Sequence, residues 1–240
     1  MIDNVKNIIF DLDNTLYDFS KIWEKANKDV FCDLGYNKLT DYETFFTVYK
    51  KHNSLILERI KNGEVRLREL RTRRIIDTLK EFGYIMSGEE SIRYYKRQFE
   101  FMELELKPNY ELIEKIKKLK QYYNISILTN GKSKEQRSKI SKLGFENLFR
   151  VYISEETWFD KPHQAAFFNV LENEKYIASE TLMVGDSLFH DIEPAEKLGL
   201  KTCLIDKKWH FDENNVNDSY TGFKVNNIDE IIDILLKSIK

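Results

Sequence analysis

Cysteine, proline and glycine are scarce in this 240-residue chain, with 2, 3 and 9 of them respectively. Cys32 and Cys203 lie far apart and form no metal-ligand pair, so both read as buried thiols. With no signal-peptide pattern in the charged N-terminal segment, a reducing cytoplasm is the expected compartment. So few glycines and prolines make long flexible linkers improbable, and neither an internal repeat nor a low-complexity segment occurs. No apolar run approaches the roughly 18 residues that a membrane-spanning helix needs. An excess of one charge is missing as well. The chain sets 38 basic residues against 40 acidic ones, which gives no reason to expect a nucleic-acid polymer or a membrane as partner. His52, His163, His190 and His210 have no ligand-spaced partners and read as solvated or packed. Material for a core is ample, since 42% of the residues are hydrophobic, enough for one large domain or for a domain with an inserted companion.

The chain is organised around Asn7-Ile8-Ile9-Phe10-Asp11-Leu12-Asp13-Asn14-Thr15-Leu16. Its uninterrupted apolar start predicts a strand buried on both faces of a parallel sheet, and the carboxylates begin where that strand ends. Side chains two apart in an extended segment point the same way, roughly 6 to 7 Å apart along the chain. Asp11 and Asp13 are thereby expected to converge on one cation or phosphate. A surface turn is the plain alternative for a run of Asp, Asn and Thr.

From Ser20 to about Leu106 the periodicity predicts consecutive amphipathic helices. The first carries Ile22, Trp23, Ala26, Val30 and Leu34 on one side and stops at Gly35. The second opens with a capping box at Thr40-Asp41-Tyr42-Glu43 and buries Phe45, Phe46, Tyr49, Leu55, Ile56 and Ile60. A third, from about Val65 to Phe82, turns Leu67, Leu70, Ile75 and Leu79 inward, and a fourth starts at the capping box Ser87-Gly88-Glu89-Glu90. An all-helical block directly after a buried strand predicts a separate domain over residues 18–107, inserted into a core made of 1–17 and 108–240.

From Asn109 helices alternate with strands. A stripe of Leu112, Ile113, Ile116 and Leu119 precedes a strand over 125–128 that ends at Thr129-Asn130-Gly131. A helix follows from a capping box at Ser133 to Gln136, then a strand over 151–153 and a helix opened by Asp160-Lys161-Pro162. The strand over 181–184 runs into Gly185-Asp186-Ser187; a helix near 192–198, strands over 202–205 and 223–225 and a terminal helix over 228–239 complete the chain. This alternation predicts an α/β fold, a doubly wound Rossmann-like parallel sheet with helices on both faces and ligands beyond the carboxyl ends of the strands.

Three of those strands finish in reactive polar residues: Asp11 and Asp13, Thr129 and Asn130, Asp186 and Ser187. Each residue type has a chemical use there. Asp11 can attack phosphorus to form an aspartyl-phosphate, splitting one hard hydrolysis into two displacements. Mg²⁺, which takes oxygen ligands, suits Asp11, Asp186 and Asp13, the last through its backbone carbonyl. The Asp13 carboxyl is then free to protonate the leaving alkoxide and to deprotonate the attacking water, a role worth about 10² to 10⁴-fold in rate. Thr129 and Asn130 are placed to bind the phosphoryl group, Lys161 to offset its charge and that of the nucleophile, and Asp191 to orient Lys161 or a metal-bound water.

These motifs resemble those of the haloacid dehalogenase superfamily and, within it, the phosphatases. Asp11-Leu12-Asp13-Asn14-Thr15 matches the first motif, Thr129-Asn130 the second, Lys161 the third, and Gly185-Asp186-Ser187 with Asp191 the fourth. The helical insert resembles the family's type 1 cap. The resemblance implies a Mg²⁺-dependent phosphomonoester hydrolase with Asp11 as nucleophile and Asp13 as acid and base, acting on a small phosphorylated metabolite as a monomer or homodimer. Asp13 also speaks against the metal-free dehalogenases, which lack that second aspartate. The segment Thr129-Asn130-Gly131 to Leu143-Gly144, with Ile153-Ser154-Glu155-Glu156 before Lys161-Pro162, is similar to the branch of pyrimidine-nucleotide 5'-phosphatases and N-acylneuraminate-9-phosphatases. A nucleoside 5'-monophosphate is therefore the favoured substrate. The alternatives are a sugar phosphate handled by the same machinery, a 2-haloacid, or a phospho-accepting signalling role.

Overall fold

Ile8, Ile9 and Phe10, with Asn7, form strand β1 (Asn7–Phe10), whose four side chains are all buried. The structure is a computed structural model and describes residues 3–66, 69–206 and 220–239, with only the backbone of Lys61; Leu67 and His210 lie outside them. Those residues divide into two compact units, one of 3–20, 106–206 and 220–239 and the other Lys21–Glu105.

Helices α1 (Phe19–Asp33), α2 (Tyr42–Lys61), α3 (Leu70–Glu81) and α4 (Gly88–Glu105) build the second unit, apart from the first two residues of α1. Aromatic rings fill its interior: Phe31 packs on Phe45 at 4.7 Å and Trp23 on Tyr49 at 5.6 Å between centroids. The Arg74 guanidinium lies among these rings, 4.5 Å from the centroid of Tyr49, and donates to Asn53 Oδ1 at 2.7 Å. That contact explains one departure from the periodicity. The inward stripe of α2 runs Phe45, Phe46, Tyr49, Asn53, Ile56, so the buried position of the third turn is a polar one and Leu55, expected inside, is exposed. Asp41 rather than Thr40 caps α2, accepting from the Thr44 N–H at 2.9 Å. At α4 the capping box forms as expected, with Ser87 Oγ accepting from Glu90 N–H and Glu90 Oε2 from Ser87 N–H.

In the first unit, α5 (Tyr110–Leu119), β2 (Asn124–Thr129), α6 (Ser133–Lys142), β3 (Arg150–Ile153), α7 (Ser154–Thr157), α8 (Gln164–Glu174), β4 (Thr181–Gly185), a π-helical turn (Leu188–Ile192), α9 (Glu193–Lys197), β5 (Lys201–Ile205), β6 (Lys224–Val225) and α10 (Ile228–Lys237) follow in order. All six strands run parallel in the order β3-β2-β1-β4-β5-β6, with helices on both faces. On one face Ile9, Leu128 and Met183 pack with Ala166, Phe167, Val170 and Leu171 of α8 and Ala195 of α9. α5 packs on α10 elsewhere in the unit, tied by Lys115 to Asp229 at 2.7 Å. The register pairs Phe10 with Ile127 and with Val184, so Asp11, Thr129 and Asp186 all follow the strands at the same carboxyl edge.

Among the described residues no helix is long and apolar enough to cross a membrane. The cysteines differ from expectation in one respect: Cys203 is buried, but Cys32 is exposed, because it sits on the outer side of α1 next to the inward-facing Phe31. Burial pushes the Cys203 thiol up to about 12, leaving it almost without thiolate at neutral pH. Alkylation of the native protein is thus expected to label Cys32 rapidly and Cys203 only after denaturation, as read by peptide mass spectrometry. Rapid native labelling of Cys203 would contradict this packing.

Candidate active site

β1 stops at Phe10, and the next amide, Asp11 N–H, still donates to Val184 O at 2.9 Å. The chain then folds back. Asn14 takes a left-handed φ of 65°, Leu16 N–H donates to Leu12 O at 3.0 Å, and Asn14 Oδ1 accepts from Ser20 N–H at 2.9 Å and Ser20 Oγ at 2.6 Å. Asp11 and Asp13 are therefore on a folded loop and not on the extended segment that the sequence predicts. Each carboxylate is answered by its own lysine.

Lys161, 3% exposed, places Nζ 2.7 Å from Asp11 Oδ1 and 2.7 Å from Asp191 Oδ1. Its main chain is clasped by Asn130, whose Oδ1 accepts from Lys161 N–H and whose Nδ2 donates to Lys161 O, both at 2.8 Å. Both ends of the Asn130 amide are thus committed to holding Lys161. Asp191 comes from the π-helical turn after β4 and also accepts from Ser187 N–H through Oδ2 at 3.2 Å. Its carboxylate lies so close over Gly185 that a Cβ there would clash with Oδ2. This close approach is why the strand ends on a residue without a side chain.

Asp186 completes the group: Asp11, Asp186 and Asp191 each offer a carboxylate oxygen within 4.8 Å of the others. Burial, helped by Asp191, pushes the Asp11 carboxyl up to about 7 although Lys161 opposes it. Burial, with Asp11 and Asp191, pushes Asp186 well above the usual carboxylate range. Lys161 has the reverse balance, since burial disfavours its charge but Asp11 and Asp191 outweigh it and hold the ammonium above its ordinary value. One buried cation against three carboxylates leaves surplus negative charge. An all-oxygen donor set of that kind fits a hard divalent cation.

Asp13 stands apart from this cluster. Both its oxygens accept from Lys139 Nζ at 2.8 Å, Oδ2 accepts from Gln136 Nε2 at 3.1 Å, and Oδ1 accepts from the Tyr17 hydroxyl. Burial opposes ionisation here, but Lys139 and the hydrogen bonds from Lys139, Tyr17 and Gln136 win and hold the Asp13 carboxyl below its usual value. Gln136 also donates to Thr129 Oγ1 at 2.6 Å and to Asn130 O at 3.2 Å. Neither Gln136 nor Lys139 is expected at the site from the sequence, where Ser133 to Gln136 reads as a capping box. No such box forms: Lys132 is the N-cap without a side-chain bond, and Ser133 N–H donates to Glu155 instead. The available signal was the inward stripe of α6, Gln136, Lys139, Ile140 and Leu143, which puts two polar residues on a face that must be buried.

Three of the histidines lie among the described residues. His163 caps α8 by accepting from Ala165 N–H at 3.1 Å, His52 meets Glu81 at 2.8 Å, and His190 meets Ser187 at 3.1 Å. Among the aromatic residues, Tyr17 donates to Asp13 and Phe19 lies over Lys139, while Trp23 is core of the helical unit and Trp158 is exposed.

The profile of haloacid dehalogenase-like hydrolases matches residues 8–205. A magnesium-bound crystal structure of the HAD-hydrolase YfnB of Bacillus subtilis superposes with a TM-score of 0.81 at 26% identity, covering 96% of this chain and 98% of that one. A glyceraldehyde 3-phosphate phosphatase of Methanocaldococcus jannaschii is 29% identical over 98% of this chain and 99% of its own. The pyrimidine 5'-nucleotidase PynA of Streptococcus pneumoniae is 24% identical over 98% and 96%.

Substituting Gly185→Ala is expected to displace the Asp191 carboxylate and loosen Lys161 with it. Overpacking of this kind costs about 1–3 kcal/mol, a loss of several degrees that a thermal melt resolves. An unshifted melting temperature would mean that the carboxylate does not lie against the strand.

Proposed function

The chain belongs to the haloacid dehalogenase-like hydrolase family, and we propose that it is one of the family's phosphatases, hydrolysing small phosphomonoesters through an aspartyl-phosphate on Asp11. The observation that carries this reading is the unequal setting of the two aspartates. Asp11 belongs to the acidic cluster with Lys161, whereas Asp13 is held by Lys139 outside it. Asp11 thus lies beside the fixed charge of Lys161 and among the groups suited to a cation, while the Asp13 carboxyl is left out of that donor set for proton transfer.

Asp11 and Asp186, with the backbone carbonyl of Asp13, would hold Mg²⁺, which when bound neutralises the surplus charge of the cluster and of the phosphate. Lys161 adds a fixed positive charge beside the attacking oxygen, and Asp191 keeps it there. The Thr129 hydroxyl donates to a phosphoryl oxygen, since its oxygen already accepts from Gln136. Asp13 gives a proton to the leaving oxygen and takes one from the water that later attacks the aspartyl-phosphate.

As substrate we propose a sugar phosphate, supported by the glyceraldehyde 3-phosphate phosphatase relative, which matches this chain almost end to end. A nucleoside 5'-monophosphate is the second reading, supported by the PynA relative and by the loop resemblance around Thr129 and Lys161. The inserted helices, proposed as a cap over residues 18–107, are where the two substrates would be told apart. We place the enzyme in a reducing cytoplasm, as a monomer or homodimer.

Replacing Asp11→Asn is expected to abolish hydrolysis of p-nitrophenyl phosphate, and a chelator to remove it from the wild type until Mg²⁺ is restored. Near-normal turnover in the variant would sink the covalent mechanism. A panel of triose, pentose and hexose phosphates against nucleoside 5'-monophosphates, ranked by kcat/KM, is expected to favour the sugar phosphates. A nucleotide at its head would install the second reading.

A further inference from the structure

We propose that Lys139 and Gln136 of α6 are positioning residues of the reaction, fixing the proton carrier Asp13 and the phosphate-binding Thr129 in one rigid frame. The inference rests on the phosphatase reading above. It concerns residues that do not touch the reacting atoms.

The geometry is that of a clamp. Lys139 is 3% exposed, and its ammonium is enclosed between both oxygens of Asp13, at 2.8 Å each, and the ring of Phe19, whose centroid lies 4.5 Å away. A bidentate contact fixes the rotation of the carboxylate as well as its place. One turn earlier, Gln136 is 2% exposed and spends a single nitrogen on three acceptors: Asp13 Oδ2, Thr129 Oγ1 and Asn130 O. A carboxylate and a carbonyl oxygen can only accept, so that nitrogen is the donating end of the amide. It follows that Thr129 accepts from Gln136 and keeps its own proton for the substrate. Gln136 and Lys139 lie three apart on one helical face, so α6 couples the two loops mechanically. Gly131 permits this, because Gln136 packs where its side chain would begin, 3.2 Å from a Cβ at that position.

The consequence for catalysis is specific. In the first step an Asp11 oxygen attacks phosphorus and the ester P–O bond breaks, its electron pair leaving with the alkoxide, which takes the proton that Asp13 received from water in the preceding turnover. In the second, water attacks the same phosphorus, the P–O bond to Asp11 breaks, and the water's proton passes to Asp13, restoring both aspartates. Misplacing Asp13 hurts the first step in proportion to the basicity of the leaving oxygen. An alkoxide needs the proton, and p-nitrophenolate does not.

The experiment compares kcat/KM for glycerol phosphate and p-nitrophenyl phosphate in wild-type, Lys139→Met, Lys139→Arg and Asp11→Asn proteins supplied with Mg²⁺. Lys139→Met is expected to lose about 10²-fold on glycerol phosphate and less than tenfold on p-nitrophenyl phosphate, with Lys139→Arg restoring most of the loss. Equal losses on both esters, or full activity in Lys139→Met, would overturn the proposal while leaving the phosphatase reading intact as long as Asp11→Asn is dead. Turnover in Asp11→Asn would instead remove the reading itself. Gln136→Met provides an independent arm should Lys139→Met not fold: inhibition by inorganic phosphate is expected to weaken about tenfold as the Thr129 hydroxyl loses its orientation, and unchanged inhibition would count against the clamp.

Discussion

The buried ammonium of Lys161 is the contact on which the rest of the site depends. An ammonium with 3% exposure is tolerable only because Asp11 and Asp191 each stand 2.7 Å from it. Removing such a partner leaves the other charge uncompensated, at a cost of about 3–5 kcal/mol. Several features of the chain follow from that single need. Asn130 at the end of β2 clasps the main chain of Lys161, the π-helical turn delivers Asp191, and β4 ends on Gly185 so that the Asp191 carboxylate can lie against it. Because Asp11, Asn130, Lys161 and Asp191 follow four different strands, the parallel sheet is what makes the arrangement possible.

Much of this was legible in the sequence, and what escaped did so for identifiable reasons. The parallel strands and the sharing of one edge follow from apolar runs that stop at Asp11, Thr129 and Asp186, because buried parallel strands have to be apolar and their ends do not. Contacts between side chains of distant segments carry no such signature. That Asp13 turns to Lys139 depends on how the loop after β1 folds back at Asn14, which local propensity does not determine. Asn130 illustrates the same limit. Its position at a strand end suggests phosphate, whereas tertiary structure commits its side chain to the backbone of Lys161. Short-range capping patterns were ambiguous in another way: Ser87 to Glu90 forms its box, but Ser133 to Gln136 does not, because Gln136 has stronger partners in Asp13 and Thr129.

The helical unit shows why counting apolar residues misplaces a turn. On α2 the third inward position is Asn53, present because it accepts from the buried Arg74 guanidinium. A stripe read only from hydrophobic side chains passes over Asn53 and takes Leu55, two residues on and exposed. Buried polar pairs of this kind cost desolvation but admit few alternative packings. Asn27, which is fully buried on α1 and accepts from Tyr94 and from Gln98 at 3.1 Å on α4, has the same character.

The two aspartates near the start of the chain are served by lysines from unrelated places, Lys139 on α6 and Lys161 in the segment leading to α8. Beyond the loop that carries both carboxylates, the pairs are joined through α6 and β2, since Gln136 donates to Asp13 and to the carbonyl of Asn130, and Asn130 clasps Lys161. In evolutionary terms the arrangement is coupled: a substitution on α6 that retunes the handling of protons also reaches, through Asn130, the main chain that places the Lys161 charge. A lineage built on this core is therefore constrained to change these residues together, as one inherited unit.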